Sequence, residues 1–198
     1  AYNIYRQLVQ IAPDLYQAWS NMAHIDLESG RPAKAEQLFR KTLGIEKDYG
    51  FALSGLGAAL YKQNRLDEAI EIFTRALRLA PDDKKILCNL GVLLSGTGRT
   101  REALPVLEKA VKVAPDDFRV LFSLGSVYYN LERVDEAIGK YQQALKINPD
   151  FALTKKLLAN AYAFRRDFEK AFSLFEKLGT APDICADYGW AMARAGQY

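Results

Sequence analysis

One histidine, His24, two cysteines, Cys88 and Cys185, and two pairs of adjacent carboxylates, Asp67-Glu68 and Asp135-Glu136, are the residues best suited to chemistry in this chain. A histidine moves protons, a thiolate attacks carbonyls or binds zinc, and paired carboxylates divide acid and base work. The spacing removes most of these roles. His24 has no serine or cysteine partner in its pattern, and Cys88 has no histidine to activate it. No CxxC pair or Cys/His cluster has zinc spacing, so neither metal nor cofactor is expected. No phosphate loop or dinucleotide fingerprint occurs. The carboxylate pairs open amphipathic segments, where negative charge suits the N-terminal end of a helix dipole. The expectation is a chain without catalytic residues of its own.

The elements that position these residues follow from composition and period. A formal net charge of +3 is too weak to argue for nucleic acid or an anionic surface. No apolar run approaches the roughly 18 residues of a membrane-spanning helix. Two ordinary thiols fit a reducing compartment, so a cytoplasmic location is the weak expectation. The first residues, Ala1-Tyr2-Asn3-Ile4-Tyr5-Arg6, show no basic segment followed by an apolar one, hence no visible signal peptide.

Alanine recurs at Ala35, Ala69, Ala103, Ala137 and Ala171, every gap being 34 residues. Gly57, Gly91 and Gly125 keep the same phase, as do Pro81, Pro115 and Pro149. So do Phe39, Phe73, Leu107, Tyr141 and Phe175. Each unit reads as two helices. Over 118–131, Leu121, Leu124, Gly125 and Tyr128 share one face, and a polar break follows at Glu132-Arg133. Ala137, Tyr141, Ala144 and Leu145 stripe the second helix, and Asn148-Pro149-Asp150 stops it. Gly125 and Ala137 let the two helices approach closely. One pair buries too little apolar surface alone, so neighbouring pairs must stack.

This pattern resembles the tetratricopeptide-repeat (TPR) family along the whole chain. Repeat 50–83 supplies Leu53, Leu56, Gly57, Leu60, Ala69, Phe73, Ala76 and Pro81 at the family's signature positions. Repeat 118–151 supplies Leu121, Leu124, Gly125, Tyr128, Ala137, Tyr141, Ala144 and Pro149. The resemblance implies an all-α, right-handed superhelical solenoid of antiparallel helix pairs, about twelve helices in all. The expected partition is a second helix at 1–15, repeats at 16–49, 50–83, 84–117, 118–151 and a short one at 152–181, then a first helix at 182–198. Both ends fall inside repeats, so an excerpt of a longer solenoid is expected. Three departures stand out. Asp26 replaces the signature tyrosine, Lys47 replaces a terminating proline and predicts a less sharply ended repeat, and Pro105 predicts a kink.

In this family the first helix of each pair lines a concave groove. Carrying its groove positions over selects Asn21, Phe51, Tyr61, Lys62, Lys85, Asn89, Arg119, Phe122, Tyr129, Lys156 and Asn160 as a partner-binding set. Among the groove positions, the cations Lys62, Lys85, Arg119 and Lys156 stand against one anion, Glu28. Aromatics, Phe164 included, are interleaved with them. Such a wall suits an extended peptide with acidic groups and aromatic anchors, Phe122 and Tyr129 being the expected ones. Lys156 and Asn160 match the first pair of the family's carboxylate clamp, but Ser20 and His24 stand where repeat one would need lysine and asparagine. Asn21 and Asn89 match two rungs of the asparagine ladder in the arm of O-linked N-acetylglucosamine transferase.

The function expected is a protein-interaction scaffold that binds an extended acidic or aromatic peptide, with no nucleic acid and no membrane insertion. One alternative is a substrate-presenting arm of an enzyme, such as a glycosyltransferase, whose catalytic domain lies outside this chain. Another is a self-assembly module, with possible self-association through open ends, where Tyr188 and Trp190 are candidates.

Overall fold

The computed structural model describes residues 1–179 and 182–195. They form twelve helices and no strand. These are α1 (Tyr2–Ile11), α2 (Tyr16–Glu28), α3 (Pro32–Ile45), α4 (Gly50–Lys62), α5 (Leu66–Leu79) and α6 (Lys84–Gly96). They continue as α7 (Thr100–Val113), α8 (Phe118–Asn130), α9 (Val134–Ile147), α10 (Ala152–Phe164), α11 (Phe168–Leu178) and α12 (Pro182–Ala195). The architecture is an all-α helical-repeat solenoid.

The 34-residue period of the sequence is the period of the helices. The helices α2, α4, α6, α8 and α10 begin at residues 16, 50, 84, 118 and 152, and each is 13 residues long. The phase breaks once, since α12 begins at Pro182, 30 residues after α10. The chain divides into two compact units, Ala1–Leu93 and Leu94–Tyr198, with the boundary inside α6. Among the described residues the helix contacts within each unit join helices one or two places apart along the chain, as α2 with α3 and α4, or α10 with α8, α9, α11 and α12.

Inside a repeat the turn is built the same way each time. Gly30, Asn64, Gly98, Glu132 and Arg166 all have positive φ, between 60° and 74°. The N–H of the residue after each one returns to a carbonyl in the last turn of the helix. Arg31 donates to Asp26, Arg65 to Leu60, Arg99 to Leu94, Arg133 to Tyr128 and Asp167 to Tyr162, at 2.8–3.0 Å. This Schellman closure satisfies carbonyls that the helix end would leave orphaned. It reverses the chain in three residues, which forces the two helices of a repeat antiparallel.

The small residues do the steric work expected of them. The Tyr141 ring lies on Gly125 and the Phe73 ring on Gly57, while Ala69, Ala103, Ala137 and Ala171 are wholly buried. Phe39 adds a contact across a repeat boundary, its ring filling the place of the side chain Gly55 lacks.

One departure turns out otherwise than expected. The Lys47 junction ends as sharply as the proline ones: α3 stops at Ile45 and α4 starts at Gly50. Arg75 of α5 supplies the stop, its guanidinium donating to the Lys47 carbonyl at 2.6 Å and to Asp48 at 2.9 Å. Helix α7 continues through Pro105, its sixth residue, to Val113. The third departure, Asp26, has its own partners. Its buried carboxylate accepts from Arg31 Nε at 2.7 Å and from the Tyr2 hydroxyl at 3.3 Å, joining α1 to α2.

Candidate partner-binding faces

Charge without a partner is what a ligand can use. On α4 and α6, Lys62 and Lys85 are exposed and have no ion-pair partner among the described residues. Arg119 at the start of α8 is different: its guanidinium meets Asp117 at 2.8 Å. Lys156 on α10 differs further, its ammonium lying 2.8 Å from Asp183 and 3.1 Å from Asp187 of α12. Asn160 donates to the same Asp187 at 3.2 Å. Two of the four expected cations are thus already neutralised within the chain.

The aromatics divide the same way. Phe51 and Tyr61 on α4 are 43% and 53% exposed. The ring edge of His24 meets Phe51 at 5.5 Å between centroids, and Tyr49 lies 6.1 Å from it. In the second unit, Phe122 is half-buried against Phe151 at 5.4 Å and Tyr141 at 6.2 Å. Tyr129 is half-buried with its edge toward Phe164 at 6.1 Å, which in turn carries the Arg194 guanidinium at 5.3 Å. Burial, and then the nearby Asp187 charge, push the Tyr129 hydroxyl up. Both expected anchors are therefore packing residues as well.

The first unit holds a cleft of about 680 Å³ between α2, α4 and the start of α6. Its lining includes His24, Phe51, Gly55, Ala58, Asp83, Lys85 and Asn89. Of the expected set it brings together Phe51, Lys85 and Asn89. Asn21 is half-buried on α2 and does not line it, and Tyr61 and Lys62 stand at the far end of α4. Lys84, also exposed, was not singled out by the sequence, because its repeat position does not ordinarily face a groove.

The residues first suspected of chemistry have ordinary partners. His24 Nε2 lies 3.2 Å from Glu28. Glu68 and Glu136 pair with the arginines three residues before them, Arg65 and Arg133, and Asp135 pairs with Arg165 at 2.8 Å. Asp67, Glu68, Asp135 and Glu136 all lie in first helical turns, though without side-chain cap hydrogen bonds. Cys88 is buried and Cys185 exposed. No group of three metal-ligating side chains occurs among the described residues, and no described helix is long and apolar enough to cross a membrane.

A tetratricopeptide-repeat model matches residues 14–82 and 50–116, which together span more than half of the 198 residues, and a second such model matches 88–152. The chain belongs to the TPR family. A PPR-repeat model matches 156–180, just before the 34-residue phase fails at the start of α12. No curated protein sequence matches the chain. Among solved structures, MamA from residue 41 to its end, of Desulfovibrio magneticus RS-1, superposes with a TM-score of 0.75 at 26% identity, covering 82% of this chain and 92% of that one. A MamA of AMB-1 gives 0.74 at 28% identity, over 81% and 95%. YrrB, described as a TPR protein with an unusual peptide-binding site, gives 0.83 over 99% and 100%, and at 22% identity that likeness concerns the fold. As a TPR array the chain is a protein-interaction scaffold.

Against the TPR groove positions, the first unit keeps side chains available and the second spends them internally. In α10 and α12 the pair that resembles the start of a carboxylate clamp, Lys156 and Asn160, already holds a carboxylate, that of Asp187.

Proposed function

We propose that this TPR scaffold binds an extended peptide carrying acidic groups and aromatic or bulky apolar side chains, using the first-helix faces of its repeats. The observation that carries this reading is in the first unit. Lys62 and Lys85 have no carboxylate partner among the described residues, and Phe51 and Tyr61 lie exposed on α4. Exposed aromatics supply contact area at small entropic cost, and unpaired cations steer an acidic partner. Single rim charges contribute little, about 0.2–1 kcal/mol each, so affinity must come from the apolar anchors.

The test is a binding screen of acidic against basic peptides at two salt concentrations. Acidic peptides should bind more tightly, with a preference that weakens as salt rises. Lys62→Glu with Lys85→Glu should slow association and reduce the salt dependence. Equal binding of both peptide sets would refute the reading.

A further inference from the structure

We propose that the cleft of the first unit takes one bulky apolar side chain together with the carboxylate of a neighbouring acidic residue, recognised by charge and not as a chain terminus. This rests on the acidic-peptide reading above and makes it specific.

The apolar half of the site is set by α2, α3 and α4. Gly55 and Ala58 line it, backed by the buried ring of Phe39. Phe51 stands beside it, 43% exposed, yet held in place by the edge of His24 and the ring of Tyr49. His24 is itself held by Glu28 at 3.2 Å. An aromatic side chain fixed from two sides loses little freedom when a ligand packs on it. The volume, about 680 Å³, lies within the usual range of ligand clefts and holds more than one side chain.

The charged half is the start of α6. Lys84 and Lys85 line the cleft, and neither has an ion-pair partner among the described residues. Asp83 lines the cleft as well, its carboxylate accepting the Ile86 N–H at 2.9 Å, so two lysines stand against one aspartate. The cleft therefore presents an apolar surface next to an excess of positive over negative charge. The complement is an apolar side chain next to negative charge. A lysine ammonium is a point charge without the fork of a guanidinium, so it pairs with a carboxylate by charge and takes a side-chain one as readily as a terminal one. Side-chain carboxylates within a peptide satisfy it equally.

The experiment uses the full chain and short fluorescent peptides with amidated C-termini, read by anisotropy. One peptide carries phenylalanine beside acidic residues, one alanine in place of phenylalanine, and one lysines in place of the acids. A fourth repeats the first with a free C-terminus. The phenylalanine–acid peptide should bind about tenfold or more tighter than its alanine counterpart. Ala58→Phe should abolish that difference and leave the acid-dependent part, while Lys84→Glu with Lys85→Glu should do the reverse. Phe51→Ala serves as a second probe of the apolar half should Ala58→Phe fail to fold, and it should shrink the same difference. If phenylalanine and alanine peptides bind alike, or the apolar-half variants leave their difference intact, this inference falls while the acidic-peptide reading stands. If only the free C-terminus binds, recognition is of a terminus and the inference falls too. If lysine and acidic peptides bind alike, both fall.

Discussion

The ring of Tyr141 lies on the backbone of Gly125 so closely that a β-carbon there would stand 2.7 Å from the ring's Cε1 atom. Tyr141 is wholly buried and cannot step aside. Gly125→Ala should therefore destabilise the protein. Overpacking costs typically about 1–3 kcal/mol and outweighs the roughly 1 kcal/mol that alanine gains over glycine in a helix. Gly139 in α9 has nothing within 4 Å of where its β-carbon would be. Gly139→Ala should thus stabilise by roughly 0.5–1 kcal/mol. Urea denaturation of the two variants should show midpoints moved in opposite directions.

Glu132 closes its turn at a φ of 60°, a conformation that glycine occupies at Gly30 and Gly98 in the equivalent turns. A side chain there costs roughly 1–2 kcal/mol. Glu132→Gly should recover about 1 kcal/mol, net of glycine's greater freedom in the unfolded chain. A thermal melt should rise for this variant, and should fall for Gly98→Val.

Glu36 sets an acid limit on stability. Burial alone would push its carboxyl up. Hydrogen bonds from Gln63, Arg40 and Arg65 outweigh burial and hold it below the ordinary value of 4.5. A depressed folded pKa gives a contribution present above the unfolded value and lost as pH falls through the folded one. The melting temperature should therefore drop as pH goes below 4.5, and less steeply in Glu36→Gln. That variant should also be the less stable protein at neutral pH, because Arg65 loses a partner at 2.8 Å.

Asp183 and Asp187 occupy Lys156 as an acidic ligand would. Asp183→Asn with Asp187→Asn should expose that cation and raise the affinity of acidic peptides for the second unit. The cost in stability should be small, since ion pairs near the surface contribute about 0–1 kcal/mol. Calorimetric titration of the double variant checks the affinity, and its thermal melt checks the stability.

Phe122→Ala should act on folding more than on binding. The ring sits between Phe151 and Tyr141 and is half-buried. Its loss should cost about 1–3 kcal/mol, less than the 3–5 kcal/mol of a fully buried phenylalanine. Chemical denaturation measures that cost, and peptide titration of the folded variant shows how little of it is affinity.

Helix positions were legible because each depends on its own residues. The alanine and aromatic series fixed the phase, and the first helices begin every 34 residues from Tyr16 to Ala152. The faces of those helices followed from the same phase. What each groove residue meets did not follow, because that partner belongs to the next repeat. Lys156 reads as an unpaired cation until α12 begins four residues early and brings Asp183 and Asp187 to it. The Lys47 junction misled for a similar reason. Proline is one way to stop a helix, and Arg75, 28 residues on, is another. Asp26 looked like a lost tyrosine, yet Arg31 and Tyr2 make it a buried junction between α1 and α2.

Because the helix contacts among the described residues of each unit join neighbours one or two places along the chain, none of these contacts has to wait for a distant segment to arrive. Little loop-closure entropy opposes any one step, so folding of either unit should be fast and should start from more than one repeat. Run backwards under a stretching force, the same arrangement has no single latch whose failure releases everything. Each helix pair is held by its neighbours and yields in its turn, so the array would lengthen by stages and could rewind from whatever part remained.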